Sequence, residues 1–449
     1  MPITHLIKLA SVIYLIYLSA FNYIDILMLT GCSLAILALN LKHPLLLKNF
    51  FLVITILLFG VSGSFYFPDE HNLTADMVIY ITSFLAGYAV YQFIPKRYQP
   101  LHHSILNYNQ PRTNKIIFIE RLILLLCTAK LGLIAVDIAT HGFINYYLGQ
   151  ALVSNISSYG SASVSKGILT ILQSAVNSVS IAALTLYVYQ CHVWNHRIKY
   201  KFIAIMLVVI PMVSLQRSSL ATGIMLTMVI ITLNSVSRRQ TYKFLAASIA
   251  AILTIGIIFG GIRENRLLGQ ESSIINAERA QQLIVGELSS IVAYQAIKSN
   301  ISTLEYQLGS TIIPPLLYKF IPRSIMPDKP MNSSGYYTTQ LRPKEAEAGF
   351  YLAPTIFGDI YLNFGLFGVI ALTNLLGVLA ARLDRIYLHT DIKNLPIFLI
   401  IYYGFYSIVR NNSVESITYL ILAILCLNLL NILINIKQVP RSLTIHHKQ

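Results

Sequence analysis

The stretch APTIFGDIYLNFGLFGVIALTNLLGVLA, residues 353–380, decides the class of fold. It holds one charged residue, Asp359, in a run longer than the roughly 20 apolar residues a helix needs to cross a bilayer. Runs of the same kind recur at about 6–22, 24–40, 45–63, 77–94, 116–138, 168–192, 202–216, 218–236, 244–261, 396–410 and 416–436. The 449 residues are 55% hydrophobic and only 11% charged, with mean hydropathy +0.64. A soluble chain would carry about 25% charged residues. The expectation is an all-α polytopic membrane protein with about 12 transmembrane helices. Residues 1–261 hold the first nine helices, 262–352 one large outer loop, and 353–449 the last three helices and a tail.

The net charge of +15 orients this arrangement. With the N-terminus inside, more than half of the 33 Lys and Arg residues fall in cytoplasmic segments, among them Lys96, Arg97, Arg238, Arg239, Arg382 and Arg385. The short outer loops hold only Lys166, Arg217 and Arg410. This positive-inside distribution puts both termini in the cytoplasm and explains the excess charge without nucleic acid. Membrane lipids are a sufficient partner for the basic loops. The first apolar run has only Lys8 before it and another span directly behind, so it reads as an uncleaved helix. Cys32, Cys127, Cys191 and Cys426 are scattered in or beside spans, as packing residues are.

The loop at 262–352 is too long to be a plain connection. Within NAERAQQLIVGELSSIVAYQ (276–295), Ala280, Ile284, Leu288 and Ile291 share one helical face. Beyond it, prolines at 314, 315, 322, 327 and 330 forbid a continuous helix in a cationic, aromatic segment, KFIPRSIMPDKPMNSSGYY (319–337).

The chemistry is marked first by what is missing. There is no G-x-x-x-x-G-K-[ST] loop and no G-x-S-x-G elbow. The 11 histidines are dispersed, the large loop has none, and no His/Asp/Glu cluster has metal-ligand spacing. Neither a metal nor another cofactor is expected. What stands out is arginine at outer span ends, where positive charge is disfavoured: Arg217 in SLQRSSL, Arg263 in FGGIRENRL and Arg410 in IVRNNSVES. Arg323 and Lys329 add cations in the loop. Converging guanidinium groups suit a pyrophosphate, which they grip bidentately. The plainer alternative for each is snorkelling to headgroups or pairing with Glu264 or Glu415. Glu347 and Asp359 are the candidate general bases beside such a site, with a salt-bridge or helix-end role as the alternative. Tyr336, Tyr337 and Tyr351 could stack on sugar rings or serve as interfacial aromatics. Lys130, in the middle of the fifth span, pairs across the bundle or marks a pathway.

IPRSIMPDKP (321–330) resembles the outer "iPr…wP.kP" pattern of Wzy-type bacterial O-antigen and related polysaccharide polymerases. GFYLAPTIFGDIYLNFGLFG (349–368) is similar to the Gly-rich opening of their next span. VSLQRSSL, GGIREN and IVRNNSVES look like the arginine-bearing span ends of the same family. The resemblance covers roughly residues 210–420. It implies a GT-C-like, metal-independent glycosyltransferase of the bacterial inner membrane. Such an enzyme would join repeat units carried on undecaprenyl pyrophosphate at the periplasmic face, transferring the growing chain to the non-reducing end of the incoming unit. By the same resemblance, Arg217, Arg263, Arg410, Arg323 and Lys329 would bind the pyrophosphate. A chain-length regulator protein is a further implied partner. An O-antigen ligase would share the architecture but carry a histidine in the large loop, which is absent here. A lipid-linked oligosaccharide flippase and a non-catalytic scaffold are the other readings.

Overall fold

A computed structural model describes residues 26–39, 46–67, 71–93, 113–141, 164–193, 198–213, 223–231 apart from 225 and 228, 290–319, 321, 325–326, 328–347, 351, 353–389, 395–410 and 412–436. Most of them are helical, and none is in a strand. The helices α1 (Ile26–Ala38) and α2 (Leu47–Thr55) come first, the latter continuing through a π-turn (Ile56–Ser62) into α3 (Gly63–Tyr66). Next are α4 (His71–Phe93), α5 (Thr113–His141), α6 (Val164–Val193), α7 (Tyr200–Ala204) and α8 (Ile210–Val213). The loop contributes α9 (Ser290–Ser299), α10 (Ile301–Leu304), α11 (Ile313–Leu317), α12 (Ser333–Leu341) and α13 (Pro343–Glu347). The chain then runs through α14 (Thr355–His389), α15 (Leu395–Arg410) and α16 (Ser413–Ile436).

Three of these helices, α4, α14 and α16, are long and apolar enough to cross a membrane, against the twelve spans expected from the sequence. The runs at 6–22 and 244–261, and most of 218–236, lie outside the described residues. Elsewhere the helix is short, as in α1 with 13 residues, or charged, as in α5, which carries Lys115, Glu120, Arg121, Lys130 and Asp137, or, in α6, counts as apolar over Ala175–Cys191 alone. Lys130 is half-buried midway along α5. Of the amphipathic stretch 276–295, only α9 is described, and it buries Ile291, Ala293, Tyr294 and Ile297. The first two loop prolines open α11, where a missing N–H costs nothing.

The centre of the bundle is the pair α4–α14. A Cβ on Gly87 would stand 2.0 Å from the Asn374 carbonyl oxygen, and one on Gly377 would stand 2.1 Å from that of Phe84. Small residues that let two backbones touch are how helices associate where no hydrophobic drive separates them from lipid. Polar side chains supplement the contact: the Ser83 hydroxyl donates to the Ile370 carbonyl (2.8 Å) and the Asn374 amide to that of Ser83 (3.3 Å). Aromatic rings fill the space between these helices and α2, with Phe51 stacked on Phe84 at 3.9 Å and Tyr80 on Phe357 at 5.2 Å. At the far end of α14, Asp384 accepts the Leu47 and Lys48 amides (2.6 and 3.2 Å) and the Tyr88 hydroxyl (3.1 Å). A carboxylate from another helix thus caps α2, whose own N-cap residue, Leu46, offers no side-chain acceptor.

One helix is broken. Gly365 in α14 has φ 65° and ψ −163°, a conformation open to glycine and closed to most residues. The break strands the carbonyls of Leu362 and Asn363, which instead accept the main-chain amides of Gln307 and Leu308 at 3.0 and 3.1 Å. Asn363, fully buried, completes the joint with its side chain: Oδ1 accepts the Gly309 amide (2.9 Å), and Nδ2 donates to the Asp359 carbonyl (2.7 Å) and the Thr311 hydroxyl (2.8 Å). The large loop is therefore hydrogen-bonded into the bundle.

Candidate functional site

Three chain segments meet around Asp359 in the first turns of α14. The side chain is fully buried, and its Oδ2 accepts the main-chain N–H of Ser413, the first residue of α16, at 2.6 Å. The hydroxyls of Ser413 and Ser333 stand beside the carboxyl group without closing a hydrogen bond. Oδ1 of Asp359 and both hydroxyl oxygens therefore have no hydrogen-bond partner among the described residues. Ser333 opens α12, which Asn332 caps by accepting the Gly335 amide at 3.0 Å. Asn412 caps α16 in the same way, accepting the Glu415 amide at 2.9 Å, and its nitrogen donates to Ser334 Oγ at 3.3 Å. Two helices thus begin against one carboxyl group, and helix N-termini offer it positive partial charge. Chemically, the junction can hold a negative charge in a dry environment and supply hydroxyl and carboxyl oxygens to a small polar group.

Asp359 was singled out in the sequence as an acid inside an apolar run. Its surroundings were not: Ser333 lies within the stretch 319–337 and Asn412 and Ser413 within IVRNNSVES, with nothing in the sequence to single them out. The main chain of Arg410 ends α15, two residues before the Asn412 cap. Arg217, Arg263 and Arg323 lie outside the described residues. Lys329 has a different setting from the one expected, because its ammonium donates to the carbonyls of Lys319 and Ile321 (2.8 and 3.0 Å) and staples the loop to itself. Glu347 is exposed at the end of α13, while Glu345 pairs with Arg342 at 3.2 Å. Of the three tyrosines, Tyr337 is fully buried in a small core with Ala293, Ile297, Leu304 and Leu362, so both ring faces are covered. Burial pushes its phenol up from the ordinary value. Tyr336 is half-buried, donating to the Leu304 carbonyl (2.9 Å) and accepting from Gln307 (2.9 Å). Tyr351 donates to the Ala346 carbonyl at 3.2 Å.

Sequence reasoning missed a second polar cluster, where α4 begins. Asp76 Oδ2 accepts Lys298 Nζ at 2.6 Å and the Tyr294 hydroxyl at 2.7 Å. Since that proton is committed to Asp76, the Tyr80 hydroxyl donates to Tyr294 in their 2.6 Å contact. Burial, then Tyr80 and Asp76 beside it, push the Tyr294 phenol well above its usual value, so it stays a proton donor. The cluster ties α9 to the bundle by a part-buried ion pair. The only sequence signal was Asp76 at the edge of an apolar run; Lys298 lies beyond the amphipathic stretch that was recognised. Among the described residues, no group of His, Cys, Asp or Glu could hold a metal ion. No known family model, curated protein or solved structure matches the chain.

Proposed function

We propose that the chain is a glycan polymerase of the bacterial inner membrane, joining oligosaccharide units carried on undecaprenyl pyrophosphate at the outer face. The observation that carries this reading is the meeting at Asp359 of the cationic loop, the start of α14 and the segment after Arg410. Two of these, 349–368 and IVRNNSVES, are stretches on which the family resemblance rests, and Ser333 follows a third, IPRSIMPDKP, by three residues. In this reading Arg217, Arg263, Arg410 and Arg323 neutralise the lipid pyrophosphate as it leaves. The acceptor hydroxyl gives its proton to a carboxylate while its oxygen bonds to the anomeric carbon, and the bond from that carbon to the pyrophosphate oxygen breaks. Glu347, exposed on the loop, is the carboxylate able to approach an acceptor. Asp359, fully buried, acts as a positioning residue that fixes the mouth of α15–α16. The positive-inside pattern supports cytoplasmic termini.

The broken α14 favours one alternative, a flippase for the same lipid-linked substrate, since transporters build their sites from discontinuous helices. Against it, the freed carbonyls of α14 are bonded to the chain's own amides. A strain lacking the gene separates the two. A surface-glycan ladder reduced to core plus one repeat is the outcome expected of a lost polymerase, with Arg217→Ala and Arg410→Ala variants reproducing it at normal protein levels. Lipid-linked units trapped on the cytoplasmic side would refute the polymerase and favour the flippase.

A further inference from the structure

The loop carries an apolar surface that a water-exposed lid has no reason to keep. Leu308, Leu317 and Ile325 are 78%, 71% and 74% exposed. Leu308 is also held at φ 47°, in the left-handed region that favours glycine, so the fold accepts backbone strain to point a leucine outward. This surface continues onto a membrane-crossing helix. A Cβ on Gly309 would touch Ile313 at 3.4 Å and Phe364 of α14 at 3.6 Å, and Phe367, one turn further along, is 87% exposed. The short helix α11 also rests against α16, so the segment touches two candidate spans.

The break at Gly365 sets the depth. In water, the stranded carbonyls of Leu362 and Asn363 would need no protein partner. In hydrocarbon they must have one, and irregular backbone survives there only when protein seals it. Here Gln307 and Leu308 seal both carbonyls while Phe364 and Phe367 face outward beside them. The order Leu317–Tyr318–Lys319 then runs from apolar to amphipathic aromatic to cation, as the environment does from acyl chain to headgroup. Exposed Glu305, at the other end of the segment, marks its water side.

We infer that segment 306–319 is a shallow wedge inserted into the bilayer leaflet at which α14 begins, with the acyl chains of that leaflet as its partner. The wedge fastens the loop to lipid as well as to the bundle and keeps the Asp359 junction at headgroup level. This does not depend on the polymerase reading, because it uses only the membrane-crossing helices and the sealed break.

The chain has a single tryptophan, Trp194, which allows a direct test. In a Trp194→Phe background, Leu317→Trp and Leu308→Trp place reporters on the wedge, and Gln340→Trp places one on the exposed face of α12. Each full-length protein is reconstituted in phosphatidylcholine vesicles with or without brominated acyl chains. The wedge reporters are expected to lose most of their emission to bromolipid, to emit to the blue of Gln340→Trp, and to resist acrylamide. Acrylamide quenching of the wedge reporters equal to that of Gln340→Trp would overturn the inference by placing the segment in water. Quenching by neither agent would also overturn it, since protein, such as a second copy of the chain, would then cover the surface. Two reporter positions keep the test intact if one substitution disturbs folding.

Discussion

Replacing Asp359 with alanine removes the acceptor of the Ser413 amide, a 2.6 Å bond at the start of α16. Hydrogen bonds to charged groups contribute about 1.5–3 kcal/mol, and a helix start buried without its partner forfeits that amount locally. At about 1.4 kcal/mol per factor of ten, the amides of the α16 start should open roughly tenfold to a hundredfold more often. Hydrogen exchange of peptides covering 412–418, on purified protein in detergent, reads this directly. The loss should spread to 333–338, because Ser333 stands beside the same carboxyl group and Ser334 is bonded to Asn412. Asp359→Asn keeps an oxygen able to accept the Ser413 amide and should raise exchange by only about twofold to thirtyfold, because a neutral bond of about 1 kcal/mol is retained. If 412–418 and 333–338 exchange in Asp359→Ala as they do in the unaltered protein, the carboxylate does not hold the junction.

The α4–α14 contact predicts that Gly87→Ala and Gly377→Ala each cost about 1–3 kcal/mol, since the new Cβ meets a backbone oxygen that cannot step aside. Thermal melting in detergent should drop for both, and unchanged melting would mean the two backbones do not touch. At the other cluster, Asp76→Ala leaves Lys298 without its carboxylate at a cost of about 3 kcal/mol, near the low end for a buried pair because the Lys298 side chain is 22% exposed. Protease cleavage within the loop should quicken, and adding Lys298→Met should recover part of the loss. Equal rates in the single and double variants would show that the pair is not coupled.

Much of the helical layout was legible because apolar runs have a length scale that water cannot explain: α4, α14 and α16 stand where the hydropathy put spans. Asp359 was legible for a related reason, as an acid in a stretch with nowhere polar to go. Its partners were not. Ser333 and Ser413 are small polar residues of a kind found in any loop, and they reach Asp359 only through tertiary folding. The break at Gly365 was equally hidden, since α14 contains other glycines that stay helical, among them Gly358 and Gly377. What separates Gly365 is that residues 306–309 arrive to bond its orphaned carbonyls. Aromatics misled for a different reason: Tyr337 beside Pro330 and Lys329 looks like a binding residue, yet its ring is the centre of the loop's own small core. Lys329 shows the same ambiguity for charge, its ammonium serving carbonyls a few residues away.

The interruption at Gly365 also separates two mechanical tasks. A continuous α14 would transmit every change of tilt or rotation from its lipid-facing part to the residues around Asp359. With the helical ladder cut, residues 355–364 take their rotational phase from Gln307, Leu308, Ser413 and the Tyr80–Phe357 stack, and residues 366–389 take theirs from the backbone contacts with α4 and the Asp384 bonds to α2. Helices tilt to follow the thickness of the bilayer around them. With α14 across a bilayer, that adjustment would be absorbed at one glycine, and the geometry around Asp359 would hold steady as the thickness changed.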